Sequence, residues 1–377
     1  MAGFLRMGGN GPIGLFFATL SLAFALTAAA QAPDAPIESA WALWEDDQVM
    51  DRVEALYARG DSLDVAEARK ALRAPVPGAP VPAKIEPVPL RTQELMGGDV
   101  ARLARKSFLR LGWFGGESED DLGLFLGAAF AIDKDIFVTC RHVVAPGEIN
   151  VGCLAAIDLS GKVYPVQAIV AADRVADVAV VRIVGTPCEP LPLSTDASPG
   201  DRVYCFSEPL DAYGYFDEGI VNRFFRLPPP EGRHVPEDAP ALVRMHVSVD
   251  WAPGSSGAAT LDRYGNAIGI VSAVQTLSED EPFIPFVEPK PLPNQEGGAK
   301  PPAPEKPAGR KQGGANATQP SQPPPVALPG NQLAPRPKRR PKAPTLMVLH
   351  EATPAKAALH LIEKTNAAAE EKAEAGE

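Results

Sequence analysis

The chain has 377 residues and a formal net charge of −11, which speaks against general nucleic-acid binding, because affinity for a phosphate backbone needs a net basic surface. Its length allows roughly two domains of ~150 residues. However, 41 prolines, about twice the usual ~5% share, cluster between Ala74 and Pro89 and between Pro289 and Pro344, which leaves one core-forming block.

The N-terminus reads as an export signal over residues 1–30. Arg6 precedes an apolar stretch from Ile13 to Leu26 and the small residues "TAAAQA", with cleavage expected after Ala30. An uncleaved anchor is the alternative, although the apolar run is short for a ~20-residue span. The mature protein is therefore expected outside the cytoplasm, periplasmic or secreted, or membrane-anchored if the signal stays. Disulfides are allowed there. Cys140, Cys153, Cys188 and Cys205 permit three pairings, and buried free thiols are the equal alternative. None stands in C-x-x-C spacing, so no zinc site and no metal or cofactor is expected.

Residues 37–73 predict a helical hairpin. Val49, Val53, Leu56 and Tyr57 form one helix face, Gly60 ends it, and Asp64 with Glu67 resembles a capping box opening a second helix that ends near Arg73. No further copy of the hairpin occurs, which excludes a solenoid. Residues 74–98 read as a stiff Pro-rich spacer. From there to residue 288 the periodicity changes to short β-rich runs such as "LFLGAAFAI", "IFVTC", "VAVVRI", "LVRMHVSV" and "AIGIVSAV", separated by Gly, Asp and Pro. That pattern predicts an all-β sandwich or barrel and disfavours a doubly wound α/β fold.

Beyond it, residues 289–344 form a Pro-rich linker expected to be disordered. From Lys290 to Ala343 it carries ten basic and two acidic residues, a net of +8 that leaves −19 for the rest. Its "RPKRRPK" run offers a contact for an anionic envelope or membrane surface, while a soluble extended linker is the plainer reading. Residues 353–377 read as a helix with Thr353-Pro354 at its start, fraying into a solvated tail.

Serine catalysis needs a hydroxyl, a base and donors for the developing oxyanion. Of five histidines, His234 lies in a polar loop, His246 inside a strand, and His350 and His360 in the tail. His142, in "FVTCRHVV", stands at a strand end. Asp177 heads the apolar strand "ADVAVVRI", where a charge is costly unless paired. "APGSSGAA" places Ser256 between Gly254 and Gly257, whose freedom lets backbone N–H groups converge; taken alone, that stretch is an ordinary turn.

His142, Asp177 and Ser256 occur in the order found in chymotrypsin-like double β-barrel proteases. The segments "GAAFAIDKDIFVTCRHVV", "ADVAVVRI", "LPLSTDASPGDRVYCFSEPLD", "PGSSGAATLDRYGNAIGI" and "PFIPF" resemble the corresponding segments of the bacterial Do-like (HtrA-type) branch, over residues 105–288. The resemblance implies two six-stranded antiparallel β-barrels over residues 99–288. It further implies a serine endopeptidase working through an acyl-enzyme on polypeptide substrates, with Ser256 as nucleophile, His142 as base and Asp177 orienting it. The N–H groups of Gly254 and Ser256 would form the oxyanion hole, and Ile270, Val271, Ser272, Ala273 and Val274 would pair with substrate as an added strand.

The chain departs from that pattern at Ser255, Ala258, Cys140 and Arg141. Asp250 stands six residues before Ser256, the position from which trypsin-type enzymes recognise Lys or Arg, although an acidic residue there also fits a turn. No PDZ segment is recognisable. An oligomer is left open, and the alternative function is a catalytically weak or inactive binding or scaffold protein of the cell envelope.

Overall fold

The structure is a computed structural model that describes residues 46–73, 84–278 and 345–375. The expected signal, the first part of the Pro-rich spacer (residues 74–83), the "PFIPF" segment and the basic Pro-rich linker lie outside the described residues.

Two closed, wholly antiparallel six-stranded barrels form the body. The first consists of β1 (Phe108–Gly116), β2 (Gly123–Asp133), β3 (Ile136–Cys140), β4 (Val151–Ile157), β5 (Val163–Asp173) and β6 (Val178–Ile183). They close in the order β1-β2-β3-β6-β5-β4. The second consists of β7 (Arg202–Ser207), β8 (Tyr215–Arg226), β9 (Val243–Val247), β10 (Ala259–Leu261), β11 (Ala267–Ser278) and β12 (Thr345–Pro354). Closure pairs each strand with a neighbour on both sides over part of its length, which limits edge-to-edge association.

The expected boundary at residue 288 is too early. β12 lies beyond the Pro-rich linker and completes the second barrel between β11 and β9. Its pairing with β11 runs from Gly269↔Pro354 out to Ser278↔Thr345, so the two residues that flank segment 279–344 are neighbours in one ladder. Closing a long loop costs only logarithmically more than closing a short one, so the barrel tolerates the insertion.

The tail expectation changes as well. The last helix, Ala355–Ala375, begins one residue after Pro354 and buries Ala355, Ala357, Ala358 and Ile362 in the main core. Alanines let it approach β5, β6 and β11 closely.

Of the hairpin expected over 37–73, the described residues hold α1 at Asp46–Arg59 and α2 at Val65–Arg73; residues 37–45 lie outside them. The capping box is reciprocal: Glu67 N–H donates to Asp64 Oδ1 at 2.7 Å, and Asp64 N–H to Glu67 Oε2 at 3.4 Å. Val49, Val53 and Leu56 pack on Phe114, Ala155 and Ile157. The turn between the helices is wedged into the first barrel, where Leu63 N–H donates to Val166 O and Leu63 O accepts from Leu154 N–H, each at 2.9 Å. Residues 84–96, expected as spacer, are instead strapped down by two asparagine carboxamides. Asn366 bonds both the N–H and the C=O of Ile85, and Asn266 does the same for Arg91. The strap leads into α3, Gly97–Ser107.

His246 on β9 is 2% exposed. Its Nδ1 accepts from Arg223 Nε at 3.1 Å, and its Nε2 has no partner among the described residues. Burial, reinforced by the Arg223 charge, pushes the imidazole down to about 4. A depressed histidine adds stability that is complete above its unfolded value of ~6.5 and is lost as pH falls through the folded one. Unfolding free energy should therefore drop by up to about 3 kcal/mol between pH 6.5 and 4. In denaturant titrations across that range, His246→Gln should flatten this slope; an unchanged slope would assign the acid sensitivity elsewhere.

Candidate active site

β3 and β6 pair with Cys140 opposite Val178, so the residues just beyond β3 and just before β6 emerge side by side. Those residues are His142, on the single helical turn α4 (Arg141–Val144), and Asp177. Arg141 N–H donates to Asp177 O at 3.1 Å and His142 N–H to Asp177 Oδ1 at 3.0 Å. The second carboxylate oxygen, Oδ2, lies 2.6 Å from His142 Nδ1. With Nδ1–H donating to the carboxylate, Nε2 is the basic nitrogen. The histidine side chain is 48% exposed and the aspartate 23%. Asp177 has a φ of +55°, a left-handed conformation that costs a non-glycine residue roughly 1–2 kcal/mol; the three bonds to Arg141 and His142 hold it there.

Ser256 sits on a turn sewn to both barrels. Its carbonyl accepts from Ala128 N–H of β2 at 2.7 Å, while Gly257 N–H donates to Val271 O of β11 and Val271 N–H to Ala258 O, each at 2.9 Å. Gly257 has φ +94°, and a Cβ there would stand 2.0 Å from Ala128 O. Gly254 has φ +102° and would place a Cβ 2.6 Å from Glu208 O. Both positions therefore require glycine on backbone and steric grounds. Gly127 marks where the two halves of the site meet, since a Cβ on it would lie 2.7 Å from Val143 Cγ2 and 2.9 Å from Ser256 O.

The two adjacent serines are separated by burial. Ser255 is fully buried and its hydroxyl donates to Ser207 Oγ at 3.1 Å, whereas Ser256 is half-buried. Ser255 N–H is taken by Ala252 O and Gly257 N–H by Val271 O. Among the described residues, the alternate N–H groups of Gly254 and Ser256 donate to no protein acceptor.

The expected substrate strand divides. Ile270 and Val271 are buried; Ile270 pairs with Ala259 on β10, and Val271 spends both backbone groups on the Ser256 turn. Ser272, Ala273 and Val274 lie beyond the last β10 pair, although Ala273 O accepts from Trp251 Nε1 at 3.0 Å. Asp250 is largely exposed, 72% by side chain, with its carboxylate 3.7 Å from His350 Nδ1 on β12. Its N–H donates to Asp217 Oδ2 at 2.8 Å.

All four cysteines are free thiols. Cys140, His142 and Asp177 hold ligand-type atoms within 4.8 Å of one another. The Cys140 thiol, however, is buried, donates to Val271 O at 3.0 Å, and is pushed well above its usual value by burial and by Asp177. That favours a neutral thiol over the thiolate a metal requires.

Sequence reasoning missed Arg244 and Thr353, which reach the Asp177 loop from the second barrel, and Glu351, which pairs with Arg244. The available signal was a charge inside each of two apolar strands, "LVRMHV" and "VLHEAT"; buried charges come paired.

Residues 127–270 match the family model of the trypsin-like peptidase domain. No curated protein matches the chain. Among solved structures, the Rv3671c protease in an inactive form is 21% identical at a TM-score of 0.38, over 50% of this chain and 87% of that one. An inactive serine-to-alanine mutant of Rv3671c from M. tuberculosis gives the same identity and TM-score over 50% and 84%. Deg5 is 23% identical at a TM-score of 0.37, over 47% and 83%. From β2 to the middle of β11, the span that holds His142, Asp177 and Ser256, the chain carries a trypsin-like peptidase domain.

Proposed function

We propose that the protein is an exported serine endopeptidase, periplasmic or secreted, that hydrolyses polypeptides through an acyl-enzyme. The observation that carries this reading is the His142–Asp177 pair at 2.6 Å, at the end of β3, whose neighbour β2 is bonded through Ala128 to the Ser256 turn. Ser256 Oγ attacks the scissile carbonyl as His142 Nε2 takes its proton, and Asp177 stabilises the resulting imidazolium. The C–N bond breaks as that proton passes to the leaving amine. Water then repeats the sequence on the acyl ester, releasing the acid and restoring the serine hydroxyl. The N–H groups of Gly254 and Ser256, uncommitted among the described residues, are suited to receive the oxyanion.

Substrate enters as an extended segment along Ser272–Val274. The exposure of Asp250 favours no selectivity for Lys or Arg, because a charge-reading pocket gains its discrimination from desolvation. Export rests on the Ile13–Leu26 stretch. Among the described residues no helix is long and apolar enough to cross a membrane.

A fluorophosphonate probe tests the reading. It should label the mature wild-type protein and not Ser256→Ala, and an unfolded protein such as casein should be cleaved only by the former. A wild type that neither labels nor cleaves would favour the non-catalytic scaffold.

A further inference from the structure

The peptide that carries Asp177 belongs to the first barrel, yet two of its carbonyls are held by the second. Arg244 on β9 donates from Nη2 to Val175 O at 2.7 Å. Thr353 on β12 donates from Oγ1 to Ala176 O at 3.0 Å. Arg244 is itself fixed on every side, with Nη1 donating to Ala241 O and Val243 O, each at 2.9 Å, and Nε lying 3.2 Å from Glu351 Oε1. Glu351 Oε2 accepts from Gln275 Nε2 of β11 at 3.0 Å. The two charged side chains are 4% and 3% exposed, and Thr353 is fully buried. Burial pushes the guanidinium below its usual value and the carboxyl above its own, each partly offset by the other.

Such a pair is a poor way to gain stability. Withdrawing two charges from water costs about what their attraction returns, and apolar replacements often do as well. Directionality is what distinguishes it from an apolar replacement: a locked guanidinium places one N–H on one carbonyl. On its own side the loop has the bonds from Arg141 and His142 to Asp177 itself and the Asp173 carboxylate, which accepts from Val175 and Ala176 N–H. That fixes the donors of the two peptides and leaves their carbonyls to the second barrel.

We propose that Arg244, Thr353 and Glu351 are positioning residues of the hydrolytic site: together they set the peptide that places Asp177, and through Asp177 the imidazole of His142. This rests on the triad reading above. It makes the site dependent on β12, the strand encoded beyond the Pro-rich linker, so the orientation of the acid is completed only when the second barrel closes.

Thr353→Val keeps shape and burial while deleting one donor, and Arg244→Lys keeps the charge while deleting the fork. Each should lower kcat about 10- to 100-fold, the scale of a small misplacement of reacting groups, with KM within about twofold because neither residue lies along the Ser272–Val274 edge. The deciding measurement repeats Thr353→Val in an Asp177→Asn background. A residue that acts through Asp177 should cost nothing further there, giving a non-additive cycle. A merely structural role would lower kcat by the same factor in both backgrounds and would reduce Tm, and either that result or a Thr353→Val enzyme with wild-type kcat overturns the proposal. If the wild type itself hydrolyses nothing, the triad reading falls and this one with it. If the wild type is active and the cycle is additive, only this one falls.

Discussion

Asp177→Asn should leave the protein folded and reduce kcat by about 10⁴-fold, with KM little changed. Asparagine tolerates the left-handed backbone that Asp177 adopts, which removes the usual reason for a fold defect. The geometry dictates which way the amide faces. His142 N–H points at Oδ1, so the amide oxygen remains there and the NH₂ group is directed at Nδ1. A donor facing Nδ1 forces the ring proton onto Nε2, the nitrogen that must accept the serine proton. The imidazole is then held in place in the wrong tautomer. Steady-state kinetics beside a thermal melt would check this; a kcat within tenfold of wild type at unchanged Tm would remove Asp177 from the mechanism.

The second large effect concerns where the chain can be cut. A protein ending at residue 288, the boundary that the sequence suggests, should fail to fold, whereas one in which residues 282–341 are replaced by a flexible linker of about ten residues should fold and retain kcat/KM within a few-fold. Truncation removes β12 and the last helix, opening the second barrel between β11 and β9. It withdraws Ala352, Thr353, Ala355, Ala358 and Ile362 from the core. It also strands Arg244 without Glu351, and breaking a buried pair on one side costs roughly 3–5 kcal/mol. Together these exceed a typical stability of about 5–15 kcal/mol. The internal replacement keeps Ser278 paired with Thr345 and shortens a loop, which favours the folded state by about 1–2 kcal/mol. Urea denaturation followed by circular dichroism distinguishes the two. A cooperative transition in the 1–288 chain would show β12 to be dispensable.

The basic Pro-rich segment thus belongs inside a domain, joining two adjacent strands.

How much of the site could be read in advance followed from which residues are scarce. With five histidines and two serines between turn glycines, order and context pick out His142, Asp177 and Ser256 as candidates, and the structure places His142 on Asp177 and bonds the serine turn to Ala128 of β2. The capping box of α2 was equally legible, because its two bonds span three residues. Arg244 and Glu351 were not. Their partners lie 69 positions away, from Arg244 to Val175, and 76 positions away, from Gln275 to Glu351. Nor were the cysteines legible, since a free thiol and a half-cystine look identical until neighbours are known.

What the amino-acid sequence determined by itself was local or chemical: the β-rich periodicity, the helical hairpin, the candidate acid, base and nucleophile, and the glycines that flank the candidate serine. Only the tertiary structure decided that "TLMVLHEATP" closes a barrel, that the first turns of the last helix bury one face in the core, and that the second barrel holds the loop of the first. Strand pairing and charge burial depend on what meets across the chain, and a strand next to a Pro-rich run carries no local mark of the partner it will find.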